Sequence, residues 1–469
     1  MSRLFRLSLL AGTSALLLAG CASVPVTEVA PLNARIEQAT GQALNTTREN
    51  SADRTARIDA LLAEPLSPEM AARIAIASSP RVEAAFGELG IARADYLEGA
   101  LPSNPMIHAA RLLKKDGGSP SLSYGFGLDL LSLITLPARR ASAKGGWEAA
   151  KARAVGETLM VAGNGRLAMI DFIAANQNLD LMRQANEASQ AALVAAEAIF
   201  EAGNSPRVEV DRERLFAAEI ALSLKQAEAD LVPARERVNV ALGLSASQRA
   251  VWTAARRLPA PPTEPIDVDG AEANVVAAST DLAAATGALR AARAMRSTSG
   301  LTSLLPGLEL SGERERDDGE WKRGFGLGVG LPIFGLGGSQ RLRAQSQAQL
   351  ASANLAALDG ALRAEARTAA AMTEAMRQMA IERREVILPL SAQVFAGEQL
   401  NFNAMQAGIF QLLAAKRMRL DAGRASVMAT RNYWAAQAGL DLLLQGLRAG
   451  KSENSAGASA NMPQAPAGH

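Results

Sequence analysis

Ser121-Leu122-Ser123-Tyr124-Gly125-Phe126-Gly127-Leu128-Asp129-Leu130 alternates apolar with small or polar residues without a break, and about 200 residues later Gly324-Phe325-Gly326-Leu327-Gly328-Val329-Gly330-Leu331-Pro332-Ile333 does the same. Strict alternation over such a length predicts a strand with two chemically different faces. Each run matches the roughly 9–11 residues that a tilted barrel strand needs to cross a bilayer. A weaker strand candidate and a charged or glycine-rich turn precede each one: Pro105 to Leu112 before Lys114, Lys115, Asp116, Gly117 and Gly118, and Gly307 to Gly312 before Asp317, Asp318, Gly319 and Glu320. The pattern therefore predicts two hairpins. Leu122, Tyr124, Phe126 and Leu128 in the first, and Phe325, Leu327 and Val329 in the second, would face lipid, with the small residues toward a lumen. Alternation alone also describes a soluble sheet packed on a core.

Long alanine-rich regions follow both hairpins, from Ala138 to about Ala202 and from Gln340 to about Ala407. Large apolar residues recur in steps of three and four (Trp147, Val155, Leu159, Met169, Ile173, Leu179, Met182 and Leu193 in the first), with alanine between them. Such spacing marks closely packed helices, and about 65 helical residues would reach roughly 100 Å. Each rod is expected to end at a glycine, Gly203 before Asn204, Ser205 and Pro206, and Gly408 before Ile409. A glycine stop followed in the first half by proline predicts a tight helical hairpin. The return helices, about Arg207 to Leu244 and Phe410 to Leu447, close on Gly243 and Gly446. Leu331 lies 203 residues after Leu128, and Gly446 lies 203 after Gly243, so the chain reads as an internal duplication. Pro233 is expected to bend the first return helix.

Arg3 and Arg6 precede the apolar stretch Leu7 to Leu18, which ends in Leu18-Ala19-Gly20-Cys21. A positive n-region, a short h-region and small residues at the cleavage point predict a lipoprotein signal over residues 1–20. Cys21 is then the acylated mature N-terminus, each buried CH₂ of its chains contributing about 0.8 kcal/mol. Ala22, where an aspartate would favour the inner membrane, points to the outer one. A plain secretory signal is the alternative. Cys21 is the only cysteine, which excludes an intramolecular disulfide and a cysteine-rich metal site. With two histidines, His108 and His469, no histidine-based catalytic or metal site is expected, and no cofactor. The net charge of +2 has no dominant basic block, which gives no case for nucleic acid. After the signal no run of 18 or more apolar residues occurs, so a transmembrane helix is not expected. A crossing would then have to be a closed β-barrel, the other structure that satisfies every backbone group in lipid.

The expected organisation is an acylated arm over 21–65, a first repeat over 66–247, a linker over 248–270, a second repeat over 271–448 and a disordered tail over 449–469. The fold class is mainly α with a small membrane β part. Four strands from one chain cannot close a barrel, since membrane barrels start at eight. Several copies must pool their strands, and the same symmetry gathers the long helices into a hollow ring.

The chain resembles the TolC-like outer membrane efflux protein family from about Leu66 to Leu447. The matching residues are Leu66-Ser67-Pro68-Glu69-Met70-Ala71 with Ser79-Pro80-Arg81-Val82-Glu83-Ala84, Leu101-Pro102-Ser103-Asn104-Pro105-Met106 before the first strand, Leu331-Pro332-Ile333-Phe334-Gly335 after the last, and Leu388-Pro389 inside the second long helix. The resemblance implies a homotrimer with a twelve-stranded barrel on an α-helical barrel. It also implies outer-membrane lipid, a periplasmic membrane fusion (adaptor) protein and an inner-membrane RND-type transporter as partners. Adaptor contact would fall on the helical tips, Gly203, Asn204, Ser205, Pro206, Gly408, Ile409, Phe410 and Gln411. Some relatives narrow the tunnel with acidic residues six and nine places after the second tip glycine. Here those places hold Ala414 and Arg417, and the first half has Glu209 six after Gly203.

Function then reads as a passive export duct. A structural coiled-coil lipoprotein bridging the envelope is the alternative, and it predicts no barrel. No Ser/His/Asp set, paired-carboxylate motif or phosphate loop stands out, so no enzyme is expected. The fourteen methionines are scattered as core packing, which leaves metal ions and drugs both open as cargo.

Overall fold

The computed structural model describes residues 32–34, 36–37, 51–113, 120–317, 320–331, 333 and 337–448. Cys21 and the expected signal, the turn residues Lys114 to Gly118, Pro332 and the C-terminal tail lie outside these.

In chain order the elements are α1 (Ser51–Leu62), α2 (Pro68–Ser78), α3 (Pro80–Ala100), β1 (Met106–Leu112), β2 (Ser121–Asp129), α4 (Leu130–Glu201) and α5 (Arg207–Ala241). The second half has α6 (Val268–Ala278), α7 (Thr280–Leu304), β3 (Glu309–Asp317), β4 (Glu320–Gly328), α8 (Gly338–Glu382), a π turn (Arg383–Ile387), α9 (Leu388–Asn403) and α10 (Ile409–Leu444). Helix, hairpin and helical hairpin thus recur in one order. The four strands form one antiparallel sheet in the order β1-β2-β3-β4.

The chain divides into two compact units. The first comprises Leu32, Ala84–Ala154 and Thr280–Gly360, and so holds the sheet. Its apolar core gathers Leu89, Trp147, Ala150 and Ala154, with Phe86, Ala92 and Tyr96 against them. A Cβ built on Gly145 would stand 3.5 Å from the Gly287 carbonyl, so glycine there permits a close helix approach.

The second unit holds the described residues of Asn33–Glu83, Val155–Ser279 and Ala361–His469. Its largest cluster includes Leu66, Ile74, Met169, Ile170, Ile173, Val238, Leu242 and Trp252. Fully burying a side chain of this size contributes about 2 kcal/mol. Trp252 keeps its indole satisfied by donating from Nε1 to Asn239 Oδ1 at 2.9 Å. Ser67 caps α2 by accepting from the Met70 amide, and Pro68 sits at the first helical position, where its missing N–H costs nothing.

Residues 259–266 are strapped onto α8 and α10. Trp434 Nε1 donates to the Pro259 carbonyl at 2.9 Å, and Arg377 donates to the carbonyls of Pro262 and Thr263. Arg377 also grips Glu374 through two bonds of 2.8 Å, while the Ile266 amide donates to the same carboxylate at 3.0 Å.

Several expectations are corrected. The second alternating run is not a strand through Ile333: β4 ends at Gly328, because the Gly330 amide turns away to the Pro306 carbonyl at 2.7 Å. Val329 therefore lies outside the sheet, and the strand instead extends back through Glu320, Trp321, Lys322 and Arg323. Leu128 and Leu327 share one cross-strand row, both being paired with Leu310. The first rod begins at Leu130, not Ala138, since Asp129 caps the Ser132 amide and the Leu308 carbonyl accepts from the Leu130 amide. α5 runs as one helix through Pro233 to Ala241. Although no unbroken apolar run exists, α4 does contain an 18-residue stretch long and apolar enough to cross a membrane; 61% of it is buried inside the protein.

Candidate functional site: an open sheet and two helical tips

The pleat sorts the sheet into two faces. Ile107, Phe126, Gly312 and Phe325 form one cross-strand row, and Leu128, Leu310 and Leu327 form the next. These side chains point outward: Ile107 and Phe325 are each 82% exposed and Leu327 is 67% exposed. The Phe126 ring lies over Gly312, where any Cβ would meet it, so the glycine makes room for the aromatic. The opposite face is small and polar, with Ser121, Ser123, Gly125, Gly127, Ser311, Gly324 and Gly326 beside Glu309, Glu313 and Glu315. Here the His108 ring covers Gly125 and the Glu309 carboxylate covers Gly127. Ser121 donates to Glu315 Oε1 at 3.0 Å. Met106 and Leu112, at the two ends of β1, are the large apolar residues on this polar face.

β1 and β4 are edge strands, each paired on one side only among the described residues. An unpaired edge beside an exposed apolar face is unstable in water and calls for further strands. Antiparallel alternation gives β1 and β4 opposite directions, so the β4 of one copy can pair antiparallel with the β1 of another.

The helical tips lie in the second unit. α4 stops in a Schellman motif: Gly203 adopts φ +74°, its amide reaches the Phe200 carbonyl, and the Asn204 amide reaches that of Ile199. Asn204 and Pro206 are exposed and Ser205 is half-buried. At the second tip the expected glycine stop is overturned. Met405, not Gly408, takes the left-handed position at φ 57°, with its amide bonded to Phe402 and that of Gln406 to Asn401. Gly408 is extended and starts α10, its amide donating to Gln411 Oε1 at 2.6 Å. Ile409 is half-buried and Gln411 exposed; the side chain of Phe410 lies outside the described residues.

Glu209 is half-buried in the first turn of α5, Ala414 is exposed, and Arg417 is spent on the Phe216 ring, 4.1 Å from its centroid. A carboxylate missed by the sequence reading is more deeply placed. Glu213 is 2% exposed, and its Oε2 has no hydrogen-bond partner among the described residues. Burial pushes its carboxyl above the usual range, against the pull of Lys416 and Arg417. Burial likewise lowers the Lys416 ammonium, which donates to the Ala188 carbonyl at 2.7 Å. The signal was present in the helical row Val210, Glu213, Phe216, Ala217, Ile220, where one acid interrupts a buried face. Among the described residues no group of three or more His, Cys, Asp or Glu side chains converges as a metal site would.

No protein-family model matches the chain, and no curated protein matches it by sequence. Solved structures do match. The outer membrane protein VceC of Vibrio cholerae is 17% identical with a TM-score of 0.67, over 83% of this chain and 96% of that one. The CmeC outer membrane channel of Campylobacter jejuni is 15% identical with a TM-score of 0.67, over 87% and 92%. The outer-membrane channel OprN is 19% identical with a TM-score of 0.68, over 87% and 95%. With its open antiparallel sheet and paired helical hairpins, the chain has the fold of the TolC-like outer membrane efflux channels.

Proposed function

We propose that three copies of this chain form one passive export duct through the outer membrane. Each contributes four strands to a twelve-stranded barrel and two helical hairpins to a periplasmic tunnel, and Cys21 carries the acyl anchor. The observation that carries this is the sheet itself, with an outward apolar face, a polar face of glycine, serine and glutamate, and two unpaired edges of opposite direction. The outer-membrane channels of like fold support it. The tips Gly203 to Pro206 and Gly408 to Gln411 are the surface for a periplasmic adaptor, which joins the duct to an inner-membrane RND-type transporter. The duct itself supplies no energy and performs no chemistry.

Cross-linking in cell envelopes tests the reading. It is expected to give a trimer whose unboiled form migrates differently on gels, palmitate label that is lost in Cys21→Ala, and adaptor cross-links from single cysteines placed at Ser205 and Gln411. A water-soluble monomer with no heat-modifiable barrel overturns the duct.

A further inference from the structure

Glu313-Arg314-Glu315-Arg316 in β3 alternates acid and base, so the pleat sends the carboxylates to one face and the guanidinium groups to the other. The arginines join the apolar face. From the end nearest the helices, that face carries Leu128, Leu310 and Leu327, then Ile107, Phe126 and Phe325, then Tyr124, Arg314 and Arg323, then Arg111, Leu122, Arg316 and Trp321. Successive rows lie about 7 Å apart. The cations thus occupy the two rows closest to the hairpin turns, and the paired positions of this face hold no acidic residue.

All four arginines are exposed, and none has a carboxylate partner among the described residues. Arg314 and Arg323 stand directly opposite each other across the ladder, where like charges repel. Trp321 sits among them: the Arg314 guanidinium is 4.4 Å and that of Arg316 6.0 Å from its ring centroid, and Tyr124 stacks on it at 6.4 Å. Uncompensated guanidinium groups and two amphipathic rings at the rim of an apolar face call for an anion that itself resides at an apolar boundary.

We infer that this arginine and aromatic rim binds the phosphate groups of a phosphorylated glycolipid in the outer leaflet, which rests on the duct reading because that reading sets this face against lipid. Guanidinium forks pair bidentately with phosphate. Trp and Tyr settle at headgroup level, and the leucine and phenylalanine rows meet the acyl chains. A free phosphate would find the charges but leave the apolar rows unmatched.

The full-length acylated protein, delipidated in detergent, is offered phosphatidylcholine micelles with diphosphoryl lipid A, with dephosphorylated lipid A, or with diphosphoryl lipid A plus inorganic phosphate. Lipid retained per trimer is counted by mass spectrometry. The wild type is expected to retain diphosphoryl lipid A in the presence or absence of equimolar phosphate. Arg314→Gln/Arg316→Gln/Arg323→Gln is expected to retain about tenfold less, and the triple lysine variant an intermediate amount, since it keeps the charge without the fork. Where the glutamine variant does not assemble, wild type against the lysine variant decides by the same count. Equal retention by wild type and variants, equal retention of the dephosphorylated lipid, or displacement by inorganic phosphate overturns the assignment. A wild-type trimer indifferent to lipid phosphate overturns this inference alone, whereas failure of the wild type to form a trimer removes the duct reading along with it.

Discussion

The two halves of the chain trace the same path with different local devices. In the first, β2 runs straight into α4 through the Asp129 cap, α4 is one helix of 72 residues, and Gly203 closes it. In the second, nine residues (329–337) separate β4 from α8, ending at Gly337 with φ +68°. There the long helix also contains a π turn, and it is closed by a methionine. Leu388 donates to Arg383 in that turn, so the extra residue is absorbed immediately before Pro389, which has no N–H to give. Path is therefore set by apolar periodicity and by where the helices stop. The device at each stop depends on which residue is locally available, and the second half carries more strain.

The largest contrast is expected at the ends of the return helices. Gly446 (φ +89°) and Gly243 (φ +61°) are both left-handed, but a Cβ on Gly446 would fall inside the Ala278 carbonyl, whereas one on Gly243 would stand 3.2 Å from the Ser78 carbonyl. Gly446→Ala should lower stability by about 4 kcal/mol and Gly243→Ala by about 2 kcal/mol, followed as thermal unfolding in detergent by circular dichroism. Equal losses would make the two ends equivalent.

A middle-sized contrast separates the lead-ins to the two repeats. The first is pinned by backbone bonds, Leu66 to Thr253 and Ala255 to Leu66, while the second relies on Glu374. Hydrogen bonds from Arg377 hold the Glu374 carboxyl at about 2, well below its usual range. A depressed carboxyl stabilises the fold fully above the ordinary carboxylate range of about 4.3, and that contribution fades as pH falls toward 2. Glu374→Gln should cost about 2 kcal/mol at neutral pH, and the gap from wild type should close in acid. A pH-independent gap would refute the assignment.

The smallest contrast lies at the tips. Met405 is 95% exposed at a left-handed φ, so Met405→Gly should stabilise by roughly 1 kcal/mol, while Gly203→Ala should destabilise by about as much. Effects of the same sign would break the comparison.

Much of this fold was legible because its signals are repetitive. Alternation in Ser121 to Asp129 and the three-and-four spacing along α4 depend on periodicity, which survives without any knowledge of the partner surface. What escaped depended on contacts distant in sequence. Nothing local distinguishes Gly328, where the strand ends, from Gly330, where the amide turns to Pro306. Met405 gave no sign of a left-handed stop, because methionine rarely makes one and Gly408 nearby was the obvious candidate. Glu320 looked like turn rather than strand, and Trp321, Lys322 and Arg323 break the alternation; their value lies in which face they reach. Glu213 was hidden for the converse reason: an isolated acid on a helix looks solvated until the neighbouring hairpin covers it.

The two borders of the sheet are not interchangeable. In the proposed ring each subunit would offer β4 to one neighbour and accept on β1 from the other, a head-to-tail seam rather than a self-complementary one. A subunit spoiled along a single border would still be recruited through its intact side, and it would leave the wall unsealed. In a cell expressing sound and spoiled copies together, leakiness would then rise faster than the spoiled fraction, because one such member compromises the whole ring.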